Sequence, residues 1–150
     1  MKNQKSRKAF TMIELVFVIV IIGILAAIAI PRLAATRDDA EITKARVTVA
    51  SIRNALAMER QKRILRGDFT AITAVGGDNT GVFGNFDDNS SQPMVLEYAE
   101  ANSTDNGDWS LTGGVYSFHC RALGGNVDFT VTNGRFVCDS TTTGCKQLTR

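Results

Sequence analysis

One carboxylate, Glu14, stands near the start of an almost wholly apolar run from Ala9 to Pro31. An ionised acid inside hydrocarbon costs about 2.5–3.5 kcal/mol at a helix centre, so it persists where a cation neutralises it. The chemistry open to Glu14 is therefore charge pairing. A cut between Ala9 and Phe10 would create a free α-ammonium four residues before Glu14, within reach of it or of the same group on a neighbouring chain. The other reactive residues are few: His119, the cysteines Cys120, Cys138 and Cys145, and two loop stretches of oxygen ligands, Asp87-Asp88-Asn89 and Asp105-Asn106-Gly107-Asp108. No nucleophile with a base and an orienting acid can be assembled around the one histidine, so catalytic residues: none. Neither acidic stretch has EF-hand spacing, so both read as solvated turns rather than metal sites. No phosphate-binding glycine motif is present, and no cofactor is implied.

The elements that must position these groups follow from periodicity. Phe10 to Ile30 is 21 residues, about the length that crosses ~30 Å of hydrocarbon, and Leu15 to Ile30 is free of charge. Residues 32–66 continue as an amphipathic helix, with Ile42, Ala45, Val49, Ile52 and Leu56 along one stripe and Arg46, Arg53 and Arg60 on the far side. Gly23 and Pro31 are weak points at which a kink or local melting is expected, because glycine favours the helix poorly and proline lacks a donor and clashes with the Ala27 carbonyl. Pro31 also fits a helix end at a membrane surface. Gly67 ends the helix.

Beyond a long polar connection, Met94 to Ala99 is expected as a first strand, followed by a loop from Glu100 to Asp108. Val115 to Leu123, Asn126 to Thr132 and Arg135 to Asp139 alternate as strands around two-residue turns at Gly124-Gly125 and Asn133-Gly134. Closing those turns opposes Arg121 with Asp128, Cys120 with Phe129, Phe118 with Val131, Val131 with Phe136 and Phe129 with Cys138. Tyr116, Phe118, Cys120, Ala122, Val127, Phe129, Val131, Phe136 and Cys138 then share the face that covers the helix stripe, and His119 lies on the other. The fold class is α+β, a long N-terminal helix packed on a small antiparallel sheet.

That register sets Cys120 and Cys138 in one row two strands apart, about 9–10 Å between Cα atoms and past the ~7 Å reach of a disulfide. It leaves Cys138 with Cys145. A slipped register would instead bond Cys120 to Cys138, and a tail folding back would bring Cys145 to Cys120. A metal site of His119 with the cysteines is excluded by their opposite faces.

Charge is unevenly spread. The leader 1–9 holds Lys2, Lys5, Arg7 and Lys8; residues 32–66 carry 9 Lys/Arg against 4 Asp/Glu, and residues 67–150 carry 4 against 10. Losing the leader takes the chain from +2 to −2. The basic stretch makes a solvated helix face more simply than a nucleic-acid contact. Cysteines confined to the last 31 residues suit an oxidising compartment.

The basic leader, the Ala9-Phe10 junction, Thr11, Glu14, the apolar helix with Gly23, and Pro31-Arg32-Leu33 together resemble the type IV pilin and type II secretion pseudopilin family. The resemblance is specific over about the first 30 residues and covers the remainder only in layout. It implies cleavage at Ala9 by a prepilin peptidase and methylation of Phe10. It further implies a buried role for Glu14 in assembly, an inner-membrane assembly platform, and identical or homologous subunits as partners. It departs from the family in one place: the residue before the cut is usually glycine and here is Ala9. A bond from Cys138 to Cys145 would be similar to the C-terminal disulfide loop of many type IV pilins, and some secretion pseudopilins bind calcium in a head loop.

The expected layout is a leader (1–9), a transmembrane or filament-core helix segment (10–31), an amphipathic helix (32–66) and a head (67–150). The protein would sit in the bacterial inner membrane in contact with lipid, single-pass with its head in the periplasm, before entering a pilus or a periplasmic pseudopilus. Two other readings share these residues. A secretory signal peptide cut after Ala27-Ile28-Ala29 would release a soluble periplasmic binding domain, although Glu14 would break its apolar middle. A DNA-binding, competence-type pilin would use the basic helix.

Overall fold

The computed structural model describes residues 10–77 and 81–150. The leader and Ala9 lie outside them, as do Asp78 and Asn79 of the polar connection. The first element is helix α1, Met12–Leu65. It passes Gly23 and Pro31 without a break, so the local melting expected there does not occur. Pro31 withholds one donor from the Ala27 carbonyl, a loss of one bond in a helix of 54 residues. At the far end Gly67 takes φ +80°. Its N–H donates to the Ile64 carbonyl (3.0 Å) and the Asp68 N–H to the Arg63 carbonyl (2.9 Å), the paired bonds of a Schellman stop.

The chain divides into a unit ending at Arg37 and a second, Asp38–Arg150. The first consists of the N-terminal part of α1, and almost every residue in it is exposed. The second is the head. Its sheet has four antiparallel strands in the order β1 (Trp109–Thr112), β2 (Val115–Cys120), β3 (Gly125–Thr132) and β4 (Arg135–Cys138), and a short helix α2 (Thr143–Thr149) follows.

The stripe Ala45, Val49, Ile52 and Leu56 of α1 packs into one core with Tyr116, Phe118, Phe129 and Phe136 of the sheet. Phe83 from the connecting segment enters the same core, stacked on Tyr116 (centroids 5.4 Å, planes 17° apart) and edge-on to Trp109 (5.1 Å). Offset and T-shaped contacts of this kind add to the area that each ring removes from water.

Three expectations are corrected. Met94 to Ala99 is not a strand; it is held by isolated bridges at its two ends, Asn85 to Met94 and Val82 to Glu100. The strand before β2 is β1, which starts directly after the expected loop from Glu100 to Asp108, in residues assigned to no element, and it turns into β2 at Gly113-Gly114.

Gly124-Gly125 is not a two-residue turn. Arg121–Leu123 winds as a single 3-10 turn and the Gly124 N–H returns to the Arg121 carbonyl (3.0 Å). The Arg121 N–H is taken by Asn106 Oδ1 (2.8 Å), which stops β2 at Cys120. The β2–β3 register is consequently four residues from the expected one: Phe118 faces Val127 and Tyr116 faces Phe129. Four is even, so every strand residue keeps its face, and only Ala122, now in the turn, leaves the core side for solvent. Third, the Arg121–Asp128 pair does not exist; Asp128 accepts from the Ser117 hydroxyl (2.6 Å). The turn at Asn133-Gly134 has the expected register, Val131 to Phe136 and Phe129 to Cys138. The tail from Thr143 is helical, started by the Thr142 side chain accepting the Cys145 N–H (3.3 Å).

Candidate assembly segment and head

Thr11 caps α1. Its hydroxyl accepts the Glu14 N–H (3.3 Å) and its carbonyl accepts the Leu15 N–H (3.2 Å). Glu14 thus occupies the third helical position, where a carboxylate also meets the positive end of the helix dipole. Phe10 lies just ahead of the cap and is 82% exposed.

Beyond it the surface is apolar all round. Met12, Phe17, Ile22, Leu25, Ile28 and Leu33 are all exposed, and a window of 18 residues has mean hydropathy 3.1 with nothing buried. A helix apolar on every side is buried by something, a membrane or other chains. It is long and apolar enough to cross a membrane. A Cβ added at Gly23 would meet nothing within 4 Å in this chain, so the small residue leaves a notch on the open face of the helix. Close helix–helix approach uses such notches. Phe10, Glu14, Gly23 and Pro31 therefore belong to one segment.

The head contains a charged group that sequence reasoning missed. Arg63 is buried, with Nε donating to Glu59 Oε1 (3.2 Å) and Nη1 to Asp87 Oδ2 (2.7 Å). Its Nη2 has no hydrogen-bond partner among the described residues. A signal existed: Glu59 and Arg63 extend the 3,4 spacing of the apolar stripe past Leu56, which places both facing the core.

Asp87 sits at φ +55° and also accepts the Thr73 N–H (2.7 Å). Burial works against its ionisation, but the Thr73 amide, the Arg63 guanidinium and the Thr73 hydroxyl outweigh it and hold the carboxyl below its ordinary value. The Arg63 pKa is raised: burial opposes the charge, and the hydrogen bonds to Asp87 and Glu59 more than offset that. Nearby, the Tyr116 hydroxyl donates to the Gly76 carbonyl and accepts the Val75 N–H, both at 2.9 Å. Burial pushes its pKa up to about 12. Gly76, at φ +88°, has no room for a Cβ, which would run into the Gly84 backbone. Together these bonds tie the connecting segment to the helix end and to the sheet.

Cys138 and Cys145 are joined by a disulfide with Cα atoms 5.8 Å apart, and Cys120 is a buried free thiol. Cys120 faces Gly125 while Cys138 faces Phe129, so the two are not in one row. His119, on the face away from the helix, is partly buried and stands opposite Asn126. Its Nδ1 lies 2.9 Å from Asn126 Oδ1 and its Nε2 2.7 Å from the Ser110 hydroxyl. With Nδ1–H donating to the Asn126 oxygen, Ser110 donates to Nε2, and both ring nitrogens are used structurally. Among the described residues no group of three or more His, Cys, Asp or Glu could hold a metal ion.

Comparison with known proteins bears on both parts. A family profile described as a prokaryotic N-terminal methylation motif matches residues 4–30. The type IV narrow pilus major component of Thermus thermophilus is 41% identical over 86 residues, 56% of this chain and 74% of that protein. The type II secretion system core protein G of Vibrio cholerae is 36% identical over 58 residues, 39% of this chain and 40% of that one. Its namesake from Pseudomonas aeruginosa is 38% identical over 56 residues, 37% and 39% of the two chains. No solved structure matches.

Proposed function

The chain belongs to the type IV pilin and pseudopilin family, and on that premise we propose that it is a structural subunit of a filament drawn from the bacterial inner membrane. The observation that carries this is the helical segment with an apolar surface on every side and one acid, Glu14, in its first turn. Such a surface is satisfied first by lipid and then by the same segment of neighbouring subunits.

The basic leader holds the N-terminus in the cytoplasm by the positive-inside bias, and the head emerges on the periplasmic side. A prepilin peptidase cuts between Ala9 and Phe10. The new ammonium of Phe10, methylated, pairs with Glu14 of an adjoining subunit, and this pairing sets the step between subunits as they leave the bilayer at an assembly platform. Gly23 gives the approach and Pro31 the point at which the helix can bend in the filament. The protein works as a building block rather than as a catalyst.

A surface pilus is favoured over a secretion pseudopilus. The similarity to the pilus component extends over 74% of that protein, against 40% and 39% for the secretion relatives, and the head closes a C-terminal disulfide loop between Cys138 and Cys145. Glu14→Ala tests the reading. It leaves the apolar run and head intact, so membrane insertion and processing should persist while filaments seen by electron microscopy disappear. Normal filaments from that variant would contradict the proposed pairing.

A further inference from the structure

The head carries two unlike charged surfaces on opposite flanks of α1. On one flank Thr48 Oγ1 donates to Glu100 Oε1 (3.1 Å) and Lys44 lies 3.6 Å from Glu100 Oε2. This anchors the end of the 94–100 segment, whose corner presents Glu97 and an unusually bare aromatic, Tyr98, 79% exposed. Glu97 has no ion partner among the described residues.

The other flank, roughly 150° round the helix at 3.6 residues per turn, holds the row Arg46, Arg53 and Arg60. Arg46 donates to the Gln147 carbonyl of α2 and Arg53 to the Phe136 carbonyl on the outer edge of β4 (3.2 Å). Between that row and β4 lies a groove of about 840 Å³. Leu56, Ala57 and Val137 supply apolar lining, and Arg53, Arg60 and Arg135 supply charge. Neither Arg60 nor Arg135 has a carboxylate partner among the described residues.

We propose that this groove receives the Glu97–Tyr98 corner of a second copy of the chain, the carboxylate meeting Arg60 and Arg135 and the tyrosine ring lying on Leu56, Ala57 and Val137. The proposal rests on the filament reading above and names the head contact within it. Charge favours this occupant: residues 67–150 carry 10 acids against 4 bases, whereas the groove presents unpaired cations. The two surfaces differ and lie on opposite flanks, so each copy can use one toward each neighbour. A heterologous contact of that kind repeats without closing on itself, which is what an open filament requires. An aromatic beside a charge, facing arginines over an apolar floor, is also the composition that concentrates interface energy.

The test is a charge exchange in the full-length protein, read as filament yield against the unaltered chain. Arg60→Glu and Glu97→Arg should each lower yield by about tenfold or more, and the two together should restore it, because the pair is reformed with signs reversed. Single variants that assemble normally, or a combined variant no better than the singles, would overturn the proposal. Thermal unfolding of the membrane-extracted monomers checks that the heads still fold. Should a charge variant fail that check, Ala57→Cys combined with Tyr98→Cys supplies the second reading. Oxidised filaments should give a ladder of crosslinked multimers that neither single variant gives, and filaments without a ladder would overturn the contact. If a short DNA duplex shields the thiol of unassembled Ala57→Cys protein, the groove belongs to nucleic acid and the proposal falls. Absence of filaments from the unaltered chain would overturn the parent reading as well, whereas normal filaments without a ladder overturn only this one.

Discussion

The two units of the chain share a helix and solve the burial of apolar surface in opposite ways. Before Arg37, α1 is apolar round its whole circumference and buries almost nothing; after it, apolar residues fall on one stripe that closes against Phe83, Trp109 and the sheet. The difference lies in period. A stripe at 3,4 spacing asks for one partner and finds it within the chain, while a uniformly apolar helix asks for surroundings that the chain does not contain. Folding and assembly should therefore fail separately when each unit is disturbed.

The sharpest break of the comparison from the head side is Phe129→Ala. Phe129 is fully buried and stacked on Phe136 (4.8 Å, 9°), so its loss should cost about 3–5 kcal/mol, a large part of a domain's stability. Denaturant unfolding of the head measures this, and membrane insertion should be unaffected.

A smaller effect, about 2–3 kcal/mol, is expected of Asp87→Ala, because it leaves Arg63 buried with Glu59 as its remaining partner. That substitution also carries a pH signature. The folded pKa of Asp87 is depressed, so the folded state binds fewer protons than the unfolded state. Its contribution is present in full above the ordinary carboxylate value near ~4 and is lost as pH falls through the lower folded value. Stability of the unaltered head should decline over that acid window, and Asp87→Ala should flatten the decline.

The smallest effect sharpens the comparison from the other side. Ile22→Ala removes exposed apolar surface in the first unit and should shift head stability by less than about 0.5 kcal/mol. A larger shift in head unfolding would mean that the two units are not independent.

Much of this division was legible in the residues. The apolar run, the stripe from Ile42 to Leu56, and the facing of the strands all follow from short-range period, which survives an error in pairing. The β2–β3 register did not survive, because it turned on a long-range event, the capture of the Arg121 N–H by Asn106, fifteen residues away. Strand β1 was missed although Gly113-Gly114 carries the same turn signal as its neighbours; four residues are too few for alternation to stand out. The pairing of Cys138 with Cys145 stands, although the row argument that separated Cys120 from Cys138 used the wrong register. Arg63 was hidden by the habit of placing charges outside. The partner that meets its charge there, Asp87, stands 24 residues further along the chain.

The central claim is that the first unit is made ready for a filament by removal of the leader at Phe10, with Glu14 as the group that the new terminus serves. Mass spectrometry of the protein extracted from the cell envelope tests it most directly. The account predicts a chain that begins at Phe10 and carries one added methyl on its α-amine. A chain that begins at Ile30 or beyond would mark the apolar segment as a discarded signal, and a chain that still carries Met1 to Ala9 would leave Glu14 without the partner assigned to it.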